Sequence, residues 1–216
     1  MKPVYDEVVM CTRYFVRSLT PELRTIIEEA EESPLSLRFA INMSKVMKTD
    51  GEIRPTDVAP VIAPSPSGSK AVYPMLWGYS SPYKGGNIIL NARTETASEK
   101  ITFKEDWQRH RCIIPASYYY EWEHIVSNDG KTVTGDRYII QPLDSSVTWL
   151  CGLYHIENGF PTFVVLTREP GEDIAFIHNR MPLILPYDAI EEWISPEGKP
   201  ENVIERALTE MVVEKG

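Results

Sequence analysis

The sequence predicts an α+β fold: a single domain built on a twisted, mainly antiparallel, barrel-like β-sheet with helices packed around it. Three observations lead there. Six short runs rich in β-branched and aromatic residues follow one another through the middle and second half of the chain. Most are separated by too little chain for a helical crossover, so neighbouring strands should run antiparallel. Segments with helix-start signals flank these runs, and helices set around a largely antiparallel sheet define the class. The 43% hydrophobic content is enough to build a core without disulfide or metal staples.

The first element is read from "SLTPELRTIIEEAEES". Thr20 stands at a capping position, Pro21 suits the first helical residue, and Leu23, Ile26 and Ile27 form an apolar face. The proline-rich "IRPTDVAPVIAPSPSGS" reads as extended chain and turns rather than helix. The β-runs are "AVYPMLWGY", "IILNARTET", "CIIPASYYYEW", "RYIIQPL", "TWLCGLY" and "FPTFVVLT". Between them "FKEDWQRHR" predicts a short helix, and Trp77 in "LWGY" belongs to the core. "PYDAIEEWI" and "PENVIERALTEMV", each with proline near its start, predict C-terminal helices.

Composition narrows the function classes. A net charge of −9, from 22 basic and 31 acidic residues, argues against wholesale coating of nucleic acid. The charge is uneven. Residues 76–115 hold six Lys/Arg against four Asp/Glu, whereas residues 186–216 hold three against eight, which leaves room for one local basic groove. Cys11, Cys112 and Cys151 form no CxxC pair, consistent with free thiols in a reducing compartment. None of the four histidines has metal-ligand spacing with a cysteine, so no metal site is expected. The first residues carry charge and no apolar stretch of signal-peptide type, and no run approaches a membrane span. The expectation is a cytoplasmic protein.

Polar groups interrupt the apolar runs at four places. Cys11, in "VVMCTRYFV", follows a second methionine, Met10; such a thiol is ordinary if buried and unusual if it begins the working chain. "NARTET", directly after "NIIL", sets an amide, a guanidinium and a carboxylate within five residues at a strand end. In "YYYEW", alternation puts Tyr119 and Glu121 on one face and Tyr118, Tyr120 and Trp122 on the other. A carboxylate beside aromatic bulk tends towards a raised pKa, useful in a general acid or base; the alternative is an exposed Glu on a half-solvated strand. In "FIHNRMPLIL", His178 joins a short apolar segment to a strand, and a lone His is more often structural than catalytic. A Cys, His, Asn and Glu together also suit a thiol peptidase.

The ordered set "MCTRYF", "DVAP", "LWGY", "ILNARTET", "ASYYYEW", "VVLT" and "IHNRMPLIL" resembles the SOS response-associated peptidase (SRAP) family, from Met10 to about Trp193. The resemblance implies a single α+β domain that binds single-stranded DNA and crosslinks to abasic sites. The crosslink is a thiazolidine between an N-terminal cysteine and the ring-opened sugar. An α-amine has a pKa of about 7.7–8, so a fraction is free base at neutral pH; it attacks the aldehyde, and the adjacent thiol closes the ring. A cysteine acylated on its nitrogen has no such amine. The resemblance therefore implies a mature N-terminus at Cys11, with residues 1–10 either a misplaced start or a leader removed by self-processing, and residues 11–216 the domain.

Matched residue by residue, Cys11 is the implied nucleophile and Asn91 the amide that positions it and the sugar. Glu121 is the carboxylate that assists sugar opening and proton transfer at the amine. His178 is the imidazole that exchanges protons at the sugar hydroxyl. Arg13 and Arg93 are implied phosphate holders, for which guanidinium is suited by its fork of donors. Pro60 and Thr167 are implied to line the DNA path. The chain departs from the family in carrying Thr12 where Gly usually follows the cysteine. It also has "SSPYKGGN" in place of a Trp pair, where Tyr83 is placed to stack on a base and Lys84 to meet a phosphate. The expected partner is single-stranded DNA containing abasic sites, bound by a monomer with no cofactor, no metal and no membrane, nucleoid-associated when on DNA. Two alternatives stand beside this: a cysteine peptidase acting on other proteins through Cys11 and His178, and a non-catalytic single-strand reader.

Overall fold

The computed structural model describes residues 12–83, 85–127 and 129–216. Cys11, Lys84 and the ten residues before Cys11 therefore lie outside the described residues.

Strand β1 (Tyr14–Val16) leads into helix α1 (Pro21–Glu32), which buries Leu23, Ile27 and Ala30. Thr20 takes the extended capping backbone but makes no side-chain cap bond. Ser33 does cap: it accepts from the Leu35 N–H and starts α2 (Pro34–Met43), a helix the sequence reading did not single out. Next come β2 (Gly51–Ile53), β3 (Val58–Pro64), β4 (Lys70–Trp77) and β5 (Asn91–Arg93). Two short helices, α3 (Thr94–Ala97) and α4 (Lys104–Arg109), precede β6 (Arg111–Ala116) and β7 (Tyr118–Val126). The remaining elements are β8 (Thr132–Pro142), β9 (Thr148–Glu157), β10 (Phe160–Arg168), β11 (Met181–Pro182), α5 (Ile190–Ile194), α6 (Pro200–Val203) and β12 (Met211–Lys215).

Five strands close on themselves in the order β10-β4-β3-β6-β9, because β9 also pairs with β10. Closure removes sheet edges and encloses the core. The pairing is antiparallel except along β10, which runs parallel to β4 and, further on, to β5. A second sheet, β12-β8-β7-β1-β2, lies alongside and is antiparallel throughout. The α+β architecture read from the sequence is the one observed. Among the described residues no helix is long and apolar enough to cross a membrane.

The ring strands read as continuous apolar runs because both faces are covered, as burial across β3, β6 and β10 shows. Gly152 permits a close approach of strands within the barrel: a Cβ there would meet Ile114 Cδ1 and the Val164 carbonyl, each at 2.6 Å. Trp77 is fully buried, as expected.

Two local expectations are corrected, while the proline-rich run is extended chain and turns as read; its middle forms β3, in which Pro60 stands opposite Pro74 of β4. Proline lacks an N–H, and antiparallel ladders alternate bonded and non-bonded pairs, so two facing prolines occupy a non-bonded position. "CIIPASYYYEW" is not one strand. It breaks at Ser117, sending β6 into the barrel and β7 into the second sheet. The predicted helix over 200–212 stops after Val203 and a short 3₁₀ turn, and Met211 enters β12 beside Pro142. There the β-branched pair Val212–Val213 satisfies an edge supplied by β8, a partner invisible in the local sequence.

Candidate active site

The motif residues sit where three groups of strands meet. β5 lies parallel to the distal half of β10, with Asn91 opposite Val165 and Arg93 opposite Thr167. β11 lines the other side of β10, with Thr167 opposite Pro182. The turn before β11 carries His178 and Arg180, so "NARTET" and "IHNRMP" come together across one strand.

Arg180 fastens them. Its guanidinium makes a two-pronged bond to Glu95, 2.8 Å on each arm, and donates to the Thr167 carbonyl at 2.7 Å. Thr94 Oγ1 donates to the same carbonyl at 3.2 Å. The paired geometry fixes the guanidinium plane, which a lysine would not do. Arg180 holds Glu95 below its ordinary pKa even though burial works in the opposite direction.

His178 is 4% exposed. Its Nδ1 accepts the Arg180 backbone N–H at 3.0 Å, so in the neutral ring the proton is on Nε2. Nε2 is buried and has no hydrogen-bond partner among the described residues. Burial, and then the neighbouring His124, push His178 down to about 4. The ring is therefore neutral near pH 7. It meets the His124 ring with centroids 4.0 Å apart, and His124 N–H donates to the Ile177 carbonyl at 2.9 Å. These contacts tie the turn to β7.

Glu121 is also on β7. It is 4% exposed, which rules out the exposed-strand alternative. Its Oε1 accepts the Trp122 N–H at 3.2 Å. Alternation holds: Tyr119 is in the core, whereas Tyr118, Tyr120 and Trp122 form a row of touching rings on the other face. β1 pairs with β7 so that Tyr14 faces Tyr119, and the Tyr120 N–H donates to the Arg13 carbonyl at 3.0 Å. Carried back two residues, that register sets Thr12 beside Glu121.

The remaining predicted residues are distributed as follows. Arg13 pairs with Glu52 at 2.6 Å and lies over the Trp122 ring, 5.4 Å from its centroid. Arg93 is exposed at the end of β5. Thr167 is buried, with Oγ1 donating to the Ala92 carbonyl at 3.4 Å. Pro60 is buried in the barrel wall. Tyr83 is 79% exposed in the loop that follows Gly78. At Gly78 φ is 120°, and a Cβ would meet Ile88 at 2.3 Å. Arg180 and His124 were missed by the sequence reading. Arg180 bonds a carboxylate 85 positions away, and nothing local signals such a partner. Among the described residues no group of three His, Cys, Asp or Glu is disposed to hold a metal ion.

A small closed barrel beside a second sheet, with a buried carboxylate on β7, a buried imidazole in the turn before β11 and an amide on β5, defines the α+β class of protein to which the chain belongs. The SOS response associated peptidase (SRAP) family model matches residues 10–215, and the chain belongs to that family. It is similar to the abasic site processing protein YoaM of Bacillus subtilis, 36% identical over 141 residues, covering 61% of this chain and 60% of that protein. It is also similar to YedK of Escherichia coli, 29% identical over 131 residues (57% and 55%), and to HMCES of Gallus gallus, 27% identical over 161 residues (59% and 46%). Both carry the same description, abasic site processing protein. The matched stretch thus spans about three fifths or less of these relatives' lengths. A crystal structure from Bacteroides thetaiotaomicron superposes with a TM-score of 0.69 at 21% identity, covering 95% of this chain and 91% of that one. A phage-related protein from Bordetella bronchiseptica does so at 0.66 and 18% identity, with 95% and 94% coverage. Both share the fold.

Proposed function

We propose that this chain binds single-stranded DNA and captures abasic sites covalently through Cys11 as an N-terminal residue. The observation that carries the reading is the span of the family match, which starts at Met10, the residue before Cys11, and takes in the "NARTET", "YYYEW" and "IHNRMP" motifs. The relatives' names support abasic sites as the substrate.

The chemistry runs in two steps. The Cys11 amine attacks the C1′ aldehyde of the ring-opened deoxyribose, and loss of one water gives an imine. The thiol sulfur then adds to the imine carbon while its proton goes to nitrogen, closing a five-membered thiazolidine. Glu121 is the proton carrier for amine and sugar opening, and its burial beside Thr12 supports that role. His178, neutral with its proton on Nε2, donates to or accepts from the sugar hydroxyl. Asn91 positions the cysteine and the sugar, while Arg13 and Arg93 hold flanking phosphates.

The test is denaturing electrophoresis after incubation with an oligonucleotide bearing one abasic site, using protein whose N-terminus is Cys11. A heat-stable shifted band that Cys11→Ala abolishes supports the proposal. Turnover of peptide substrates with no shifted band would replace it with the peptidase reading, and reversible binding alone with the single-strand reader.

A further inference from the structure

The outer face of the second sheet carries a row of guanidinium groups on aromatic rings. Tyr118, Tyr120 and Trp122 stand at alternate positions of β7, with successive ring centroids 5.4 and 6.4 Å apart. Arg17 lies over Tyr118 at 5.2 Å, Arg137 over Tyr120 at 4.7 Å and Arg13 over Trp122 at 5.4 Å. Phe15 stacks on Tyr118 at 5.0 Å, extending the apolar floor onto β1. Register places Arg137 opposite Trp122 on β8.

The charge of this face is unlike that of the chain, whose net charge is −9. Glu52 is already shared by Arg13 and Arg54, at 2.6 Å each. Glu214, opposite Ile139, lies at the far edge on β12. Arg17 and Arg137 have no ion-pair partner among the described residues, and Arg17 is exposed. A structural arginine on an acidic protein would ordinarily meet one of the many carboxylates. Here the rings beneath hold the guanidinium planes instead, leaving their outward donors to a ligand.

We infer that this face is a second contact surface for single-stranded DNA, continuing the strand's path away from the cleft beyond Arg13. The inference rests on the nucleic-acid reading above and extends it to Arg17, Arg54 and Arg137. Guanidinium planes over rings suit two features of a single strand at once: phosphates accept their N–H groups, and unstacked bases lie against their flat faces. The spacing of alternate residues along β7 matches a polymer repeat better than a small anion. Arg13 belongs to this row and stands two positions after Cys11 in the sequence, which joins the two surfaces.

The test uses undamaged fluorescent oligothymidylates of about 4 and about 16 nucleotides, lengths that bracket a small and a large single-strand site. For the R17E/R137E chain the longer probe should bind about tenfold more weakly at low salt. Its log–log salt slope should fall by about 1.4, two phosphate contacts at about 0.7 each. The shorter probe should change less than about twofold. R17Q/R137Q carries the same test if charge reversal impairs folding, as judged by circular dichroism. Unchanged affinity and slope for the longer probe would overturn the inference and leave these arginines as ring cover alone. The probes contain no abasic site, so failure of covalent capture would overturn the proposed function and leave this result standing. A chain that crosslinks abasic DNA yet shows no effect of these substitutions would overturn only the second surface.

Discussion

At the scale of single residues, His178 is the most informative. Its depressed pKa follows from burial and from His124, and the Arg180 N–H selects the tautomer. A base whose folded pKa lies below its unfolded value of 6.5 stays neutral in the folded chain while the unfolded chain takes up protons. His178 should therefore lower stability as pH falls from 6.5 towards 4 and contribute nothing above. Two-dimensional nitrogen NMR of the imidazole should show a neutral Nε2–H ring from pH 5 to 8, with no titration. A midpoint near 6.5 would contradict the assignment. Glu95 is the second residue at this scale. Glu95→Gln keeps size and removes the charge from the Arg180 clamp, which should loosen the His178 turn more than the fold. The expected readout is faster hydrogen exchange at residues 178–181 with the barrel strands unaffected.

Among the elements, the loop after β4 that carries Tyr83 is anchored by an ionic relay. His155 on β9 directs Nδ1 to Asp106 at 3.0 Å and Nε2 to Glu157 at 2.7 Å, so holding both bonds requires the doubly protonated ring. Glu157 in turn accepts from Ser80, and Asp106 accepts from Tyr79, which stacks on His155. His110 Nδ1 also faces Asp106, at 2.9 Å. Burial favours the neutral His155 ring, but the two carboxylates outweigh it and raise its pKa. Asp106 and Glu157 are lowered in spite of burial by the same partners. The relay is thus fully formed above the carboxylates' ordinary 3.8 and 4.5 and below the histidine's ordinary 6.5. It weakens as pH rises through the raised histidine value. His155→Leu should cost about 1 kcal/mol near pH 5.5 and less near pH 9, measured by urea unfolding at both. A cost that does not vary with pH would contradict the relay. The C-terminal segment depends on Arg111, fully buried, which donates to the carbonyls of Trp193 and Trp107 at 2.7 and 2.6 Å and to those of Gln108, Ser195 and Gly198. Arg111→Lys keeps the charge but cannot reach this fan of acceptors, and should lose about 2–3 kcal/mol in the same measurement.

For the whole molecule, the class of fold was legible because strand periodicity and short connections are local properties. The ring closure was not, since it depends on β10 pairing in parallel with the distant β4 and on a proline-rich run serving as a strand. Glu121 could be singled out because a charge among aromatics is conspicuous in a line of text. Its burial could not, because Tyr119 and Glu121 face a layer contributed by other strands. The Arg180–Glu95 clamp and the His155 relay join residues 85 and 49 positions apart, and no pattern within a window of sequence reports them. The motif residues were visible as interruptions of apolar runs; what holds them in place had to come from the structure.

The proposed chemistry requires that a free amine and thiol on one residue, Cys11, capture the sugar together. Intact-mass measurement of the adduct with abasic single-stranded DNA tests it most directly, comparing protein that begins at Cys11 with protein that keeps residues 1–10, before and after borohydride treatment. For the chain beginning at Cys11 the expected mass is protein plus DNA less one water, unchanged by borohydride because a thiazolidine has no reducible C=N bond. The longer chain should bind without that adduct. A stable adduct formed through Cys11 in protein that retains Met1, or an adduct that gains two hydrogens on reduction, would contradict it.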